Sequence, residues 1–186
     1  MIKISNVSKK FPDGTIALDD ISLEINDGEF VFLVGPSGSG KTTILRLLLH
    51  NLKVTGGKIL IDEHDLGKIS ESKVVQLRRK IGCVFQDLKL LDDRSILENV
   101  ALSLWVLGKT GKEVEAEAKE KLELVGLERK INFFPAQLSG GELQRAAIAR
   151  ALAGDPKYLL ADEPTGNVDD DNAWKIVKIL DKIILA

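Results

Sequence analysis

The sequence contains a single cysteine, Cys83, so no internal disulfide can form. A lone thiol suits a reducing compartment better than a disulfide-stapled secreted scaffold. No apolar run approaches the roughly 20 residues needed to cross a bilayer. The alternating start Met1-Ile2-Lys3-Ile4-Ser5-Asn6 lacks the apolar stretch of a signal peptide. Neither charge is in excess: 26 Lys and Arg face 28 Asp and Glu, a net charge of -2. That excludes the basic stripe of a nucleic-acid binder, and no nucleic-acid partner is expected. Repeats and low-complexity segments are missing too. These absences point to a cytoplasmic chain without an anchor of its own. What is present is 44% apolar and 29% charged residues over 186 positions, enough for one α/β domain with a substantial core.

Periodicity divides the chain. Residues 2–8 and 16–25 alternate apolar and polar around Pro12-Asp13-Gly14, which predicts an antiparallel pair. Asn26-Asp27-Gly28 turns the chain. Residues 30–34 then run apolar without alternation, as a strand buried on both faces does. A glycine-rich loop and a helix over 42–50 follow. Gly56-Gly57 is read as a break before a strand over 58–62, and 81–85 is a second continuous apolar strand. Helices are predicted over 95–107, 112–125 and 141–153, the second with Val114, Ala118, Leu122 and Val125 on one face. Tyr158-Leu159-Leu160-Ala161 reads as another buried strand. The tail from Asp169 to about Leu185 is a helix carrying Ile176, Val177, Leu180, Ile183 and Ile184. The expected fold is α/β, a single domain over 1–186. Its α/β core, with an N-terminal antiparallel β part, covers 1–90 and 155–186. A helical insert of roughly 60 residues, 91–154, is too small for a typical independent domain.

Gly35-Pro36-Ser37-Gly38-Ser39-Gly40-Lys41-Thr42 matches G-x-x-x-x-G-K-S/T in full, after a strand-like run and before a helix. Glycines let successive backbone N–H groups point at phosphate oxygens, and the following helix aims its positive end at the same charge. Lys41 is placed to reach the β- and γ-phosphates, and the Thr42 hydroxyl to ligate Mg²⁺. The chain is therefore a P-loop NTPase with a mostly parallel core sheet. A second constellation is the apolar strand ending in Asp162-Glu163. Asp162 can hold Mg²⁺, directly or through water, and Glu163 can accept a proton from an attacking water. A third is Leu138-Ser139-Gly140-Gly141-Glu142-Leu143-Gln144-Arg145. Ser-Gly-Gly at a helix start offers a hydroxyl, unhindered N–H groups and a helix dipole to an anion. By itself it would equally be an ordinary helix cap. Two phosphate sites so far apart in one chain make sense in a head-to-tail dimer, each signature closing on the ATP of its partner.

The order of these motifs, with Phe85-Gln86-Asp87 between them and Asp162-Glu163-Pro164-Thr165-Gly166-Asn167-Val168-Asp169 at the end, resembles the ATP-binding subunit of ABC transporters over nearly the whole chain. The resemblance implies ATP and Mg²⁺ as cofactors, with ATP held by Gly35, Pro36, Ser37, Gly38, Ser39, Gly40, Lys41, Thr42 and Thr43. It implies that Ser139, Gly140, Gly141 and Glu142 contact the γ-phosphate across a homodimer. Gln86 would touch Mg²⁺ and the attacking water and link the site to an integral membrane subunit. Asn167-Val168-Asp169 would form a dimer contact, and Phe11 would stack on adenine, although a Phe before a turn is often a packing residue. Glu163, Lys41 and Gln86 are the implied catalytic residues; Thr42, Gln86 and Asp162 are the implied metal ligands. The segments Arg78-Arg79-Lys80-Ile81-Gly82-Cys83-Val84-Phe85-Gln86-Asp87 through Leu90-Leu91, then Arg94 and Glu98-Asn99-Val100-Ala101, Asn132-Phe133-Phe134-Pro135 and Pro164-Thr165-Gly166-Asn167 are similar to the cell-division branch of this family. That branch implies peripheral attachment to the inner face of the plasma membrane through the membrane subunit. The surface around 86–107 would receive that subunit.

The family also carries a switch histidine after one more strand beyond the acidic pair. Here the sequence stops at Ala186, and His50 and His64 read as surface residues. The expectation is a piece of a longer protein, ending before the last core strands. Two further readings stay open: the ATPase of a lipoprotein-release or macrolide-export transporter, and a module that binds ATP and dimerises without hydrolysis. A DNA-repair or chromosome-structure ATPase would need long coiled coils between phosphate loop and signature. The interval is only roughly a hundred residues and lacks sustained heptads.

Overall fold

A computed structural model describes residues 1–166 and 168–184, the side chains of 182–184 excepted. Asn167, the side chains of Ile183 and Ile184, and Leu185 thus lie outside the described residues. The chain divides into two compact units, Met1–Arg78 and Arg79–Ala186.

In the first unit, β1 (Ile2–Lys10) and β2 (Ile16–Ile25) form the expected antiparallel pair. With β3 (Gly56–Ile61) and β4 (His64–Asp65) they make a four-stranded sheet in the order β2-β1-β3-β4. Helices α1 (Lys41–Leu48) and α2 (Glu71–Arg78) complete the unit. In β1 the buried residues are Ile2 and Ile4, then Val7. The parity changes at Asn6, which takes a left-handed φ of 49° and coincides with a shift in register on both neighbouring strands. Such a bulge flips later side chains to the opposite face. Gly57 (φ 76°) lies inside β3 against this bulge, where a Cβ would fall 2.2 Å from the Asn6 carbonyl oxygen. The glycine pair therefore belongs to the strand and does not break the chain before it. The two histidines are half-buried, and His50 Nε2 sits 3.1 Å from the Leu66 carbonyl oxygen. This corrects their reading as simple surface residues.

Residues 30–34 correct a second expectation. They form no strand, and Phe32 and Val34 are 68% and 88% exposed. An apolar run says that burial is favourable, but a strand buried on both faces also needs neighbours to pair its N–H and C=O groups. Phe30 and Phe32 pack on each other instead, with ring centroids 4.6 Å apart.

The second unit holds β5 (Ile81–Val84) and β6 (Tyr158–Ala161), paired in parallel from Ile81 opposite Tyr158 to Val84 opposite Ala161. Helices α3 (Ile96–Val106), α4 (Gly111–Leu124) and α5 (Gly140–Leu152) lie between them in sequence, and α6 (Asp170–Ile184) follows. Val114, Ala118, Leu122 and Val125 of the α4 segment are all buried, as their spacing predicts. The alanine-rich α5 runs through the core beside α3, α4 and β5. Leu104, Leu122 and Ile148 are fully buried, worth about 1.5–3 kcal/mol each. Ile176 and Leu180 bury the inner face of α6. Strand β6 is only half-buried along its four residues, less than its apolar sequence predicts. Helix α2 carries just two buried residues, Val74 and Leu77, and had no visible periodicity.

Candidate nucleotide-binding and hydrolysis site

The phosphate loop lies in the first unit. It is an exposed turn that leads straight into α1, with Gly40 as N-cap at φ 91°. A Cβ at Gly40 would meet the Ala17 carbonyl oxygen at 2.5 Å and Leu18 Cδ2 at 2.7 Å, so only glycine lets the loop lie on β2. No side chain caps α1. A helix leaves its first N–H groups without intrahelical partners, and its dipole puts partial positive charge at that end. The Lys41 ammonium donates to the carbonyls of Gly35 (2.8 Å) and Pro36 (2.9 Å), which folds the charge over the loop. Phe11 closes the β1–β2 turn, its N–H donating to Thr15 and its carbonyl accepting from Gly14. The Lys9 ammonium stands 5.3 Å from its ring centre.

The acidic side lies in the second unit, at the carboxyl ends of β5 and β6. The Asp162 N–H donates to the Val84 carbonyl (2.9 Å), extending the parallel ladder by one residue. The chain then turns sharply: Glu163 takes φ 50° and is exposed. Gln86, two residues past β5, donates from Nε2 to Glu163 Oε2 at 3.2 Å. Two residues chosen 77 positions apart thus meet. Behind them Cys83 lies in β5, its thiol pushed up to about 12 by burial and by the nearby Asp162 charge. It is a neutral packing group there.

The signature segment starts α5 in the same unit. Ser139 and Gly140 are exposed, while Gly141 is buried. A Cβ on Gly141 would fall 2.6 Å from Asn172 Cγ of α6. Packing of α5 on α6 therefore requires glycine here. Glu142 is also committed: its carboxylate accepts from the Ser139 N–H (3.0 Å), the Ser139 hydroxyl (3.0 Å) and the Lys130 ammonium (2.6 Å). The Lys130 bond first, then the Ser139 amide, hold its pKa at about 2. A carboxylate so placed positions Ser139 and is no ligand for a phosphate of like charge. Sequence reasoning passed over Lys130 and Asn172. Asn172 accepts from Arg145 (2.9 Å) and donates to Asp169 (2.8 Å), tying α5 to the start of α6. The Asp169-x-x-Asn172 spacing is the only signal that could have revealed it.

A model of the ABC transporter family matches residues 18–166. The chain belongs to the ABC transporter family. It is that family's ATP-binding and ATP-hydrolysing component, and its fold is the family's. Among similar ABC proteins is the cell division ATP-binding protein FtsE of Streptococcus pneumoniae, 45% identical over 185 residues, covering 100% of this chain and 80% of that protein. FtsE of Bacillus subtilis is 46% identical over 183 residues, with 98% and 80% covered. The methionine import ATP-binding protein MetN of Desulfitobacterium hafniense is 43% identical, with 98% and 55% covered. A solved ATP-binding cassette, a dimer in a post-hydrolysis state with ADP and Pi bound, superposes with a TM-score of 0.91 at 41% identity. It spans 99% of this chain, which spans 83% of it. Among the described residues no helix is long and apolar enough to cross a membrane.

Proposed function

We propose that this chain is the ATPase of a cell-division complex of the FtsE type, acting on an FtsX-like integral membrane subunit from the cytoplasmic face of the membrane. The carrying observation is the Gln86–Glu163 hydrogen bond at the ends of adjacent parallel strands. The similarity to FtsE proteins over the whole chain supports the cell-division assignment.

Residues 35–43 bind the triphosphate, with Lys41 moving from the Gly35 and Pro36 carbonyls to the β- and γ-phosphates. Phe11 stacks on adenine with the ring face opposite Lys9. A second copy lays Ser139 and Gly140 on the γ-phosphate, since that helix start is exposed in each copy. Glu163 takes a proton from a water that Gln86 helps to hold. The water oxygen bonds to the γ-phosphorus as the bridging P–O bond breaks, and ADP leaves with that electron pair. Thr42, Gln86 and Asp162 would offer hydroxyl, amide and carboxylate oxygens to Mg²⁺, which would supply charge neutralisation on the phosphates. Among the described residues no three His, Cys, Asp or Glu cluster as a metal cage. Separation of ADP and phosphate loosens the dimer and moves the membrane subunit.

The test is phosphate release by the purified protein with and without the membrane subunit, together with its mass by light scattering. ATP-dependent dimers and steady phosphate release are expected. A monomer at saturating ATP that releases no phosphate in either setting would remove the proposal.

A further inference from the structure

The segment between Gln86 and α3 holds an unusual backbone. Leu88 and Lys89 are consecutive non-glycine residues in the left-handed region, with φ of 56° and 54°. Such residues normally occur singly, so a pair must be held by its surroundings. The holder is Arg150, near the end of α5. Its Nη1 donates to the Lys89 carbonyl and its Nη2 to the Leu88 carbonyl. One guanidinium fork thus spans two successive carbonyls, which a lysine ammonium cannot do with the same fixed geometry. Arg150 is itself half-buried, and its backbone carbonyl accepts from Ser103 of α3 at 3.2 Å. The far end of the segment is pinned separately: the buried Asn99 accepts from the Leu91 N–H (2.7 Å) and donates to the Leu91 carbonyl (3.1 Å).

Arg150 therefore fixes the backbone two and three residues beyond Gln86, on the helix whose other end presents Ser139. We infer that Arg150 is a positioning residue for ATP hydrolysis: it sets the Gln86 amide against Glu163 and ties that contact to the signature helix. This rests on the reading of Gln86 and Glu163 as the groups that hold and activate water. Without the fork, the Leu88–Lys89 backbone relaxes from its left-handed pair and Gln86 leaves Glu163. ATP binding at residues 35–43 is untouched. The expected signature is lower kcat at constant KM for ATP.

The experiment compares steady-state kinetics, per mole of folded full-length protein, for Arg150→Met, Arg150→Lys, Gln86→Ala and Gln86→Ala combined with Arg150→Met. We expect kcat to fall about 10-fold in Arg150→Met, with KM unchanged, and the combined variant to be no slower than Gln86→Ala. Arg150→Lys, which keeps the charge and the stem, should fold even if the Met variant does not. It should lose turnover in the same non-additive way when combined with Gln86→Ala. Losses that multiply with that of Gln86→Ala, or turnover within about twofold of wild type in both Arg150 variants, would overturn the inference while leaving the site reading intact. Wild-type turnover in Gln86→Ala itself would overturn both.

Discussion

Two helices of the second unit begin with the same Ser-x-x-Glu spacing, Ser95 to Glu98 in α3 and Ser139 to Glu142 in α5. Both carboxylates reach back to the serine N–H, at 2.8 and 3.0 Å. At α3 the serine hydroxyl also accepts from the Glu98 N–H at 3.2 Å, and the serine is buried. At α5 the Glu142 N–H goes to the Ser139 carbonyl instead (3.0 Å), and Ser139 and Gly140 face solvent. One start spends its polar groups on the fold. The other is held in shape by Glu142 and Lys130 but keeps an exposed helix end. The same local pattern therefore closes into the fold in one place and stays presented to solvent in the other. Burial, rather than the motif, separates the two.

Perturbing exposed functional groups should cost turnover, and perturbing the buried start should cost stability. The largest effect is expected at Glu163. Glu163→Gln should slow phosphate release by ~10²–10⁴, with the melting temperature unchanged and ATP-dependent dimers retained in light scattering. Wild-type turnover would strip Glu163 of its role. Ser139→Ala comes next, losing a hydrogen bond to a charged phosphate worth about 1.5–3 kcal/mol, or roughly 10–150-fold in turnover. Its stability in urea should change by less than about 0.5 kcal/mol. Equal losses of stability at Ser139 and Ser95 would erase the contrast.

Gly141→Ala should behave unlike its exposed neighbours. Its methyl would be driven into Asn172, and overpacking of this kind costs about 1–3 kcal/mol, readable as a lower urea midpoint. Ser95→Ala removes a cap worth ~1 kcal/mol. It should lower the melting temperature by roughly 2–4 °C and leave turnover alone. The smallest effect is a pH dependence at Glu142. Its folded pKa of about 2 lies below the unfolded 4.5. The unfolded chain then takes up the proton first, so the contribution is complete above pH 4.5 and drains away as pH falls towards 2. The melting-temperature gap between wild type and Glu142→Gln should close across that window. A gap that stays constant would place Glu142 outside the cap.

Much of this was legible in the residues. The phosphate loop, the acidic strand end and Gln86 announce themselves by residue type and order, whereas the hydrogen bond between Gln86 and Glu163 is visible only in the structure. The face of α4 and the β1–β2 hairpin followed from periodicity. Residues 30–34 did not, because hydrophobicity reports a preference for burial and is silent about which strand pairs with the run. The bulge at Asn6 was hidden for a similar reason: a left-handed residue in a strand shows only in the shifted burial of Val7 and the glycine opposite. Glu142 was grouped with ligands by adjacency, whereas its charge is spent on Lys130 and Ser139.

From the residues alone came the class of chemistry, since a triphosphate cradle needs glycine N–H groups, a lysine and a hydroxyl in a fixed local order. Distances of a few residues along the backbone suffice to define that. Tertiary structure decided which serine is buried and which is presented, and which glycine serves packing. It also made Arg150 the clamp on a loop some sixty positions away. Those outcomes depend on close packing between segments remote in sequence, where a few tenths of an ångström separate contact from clash.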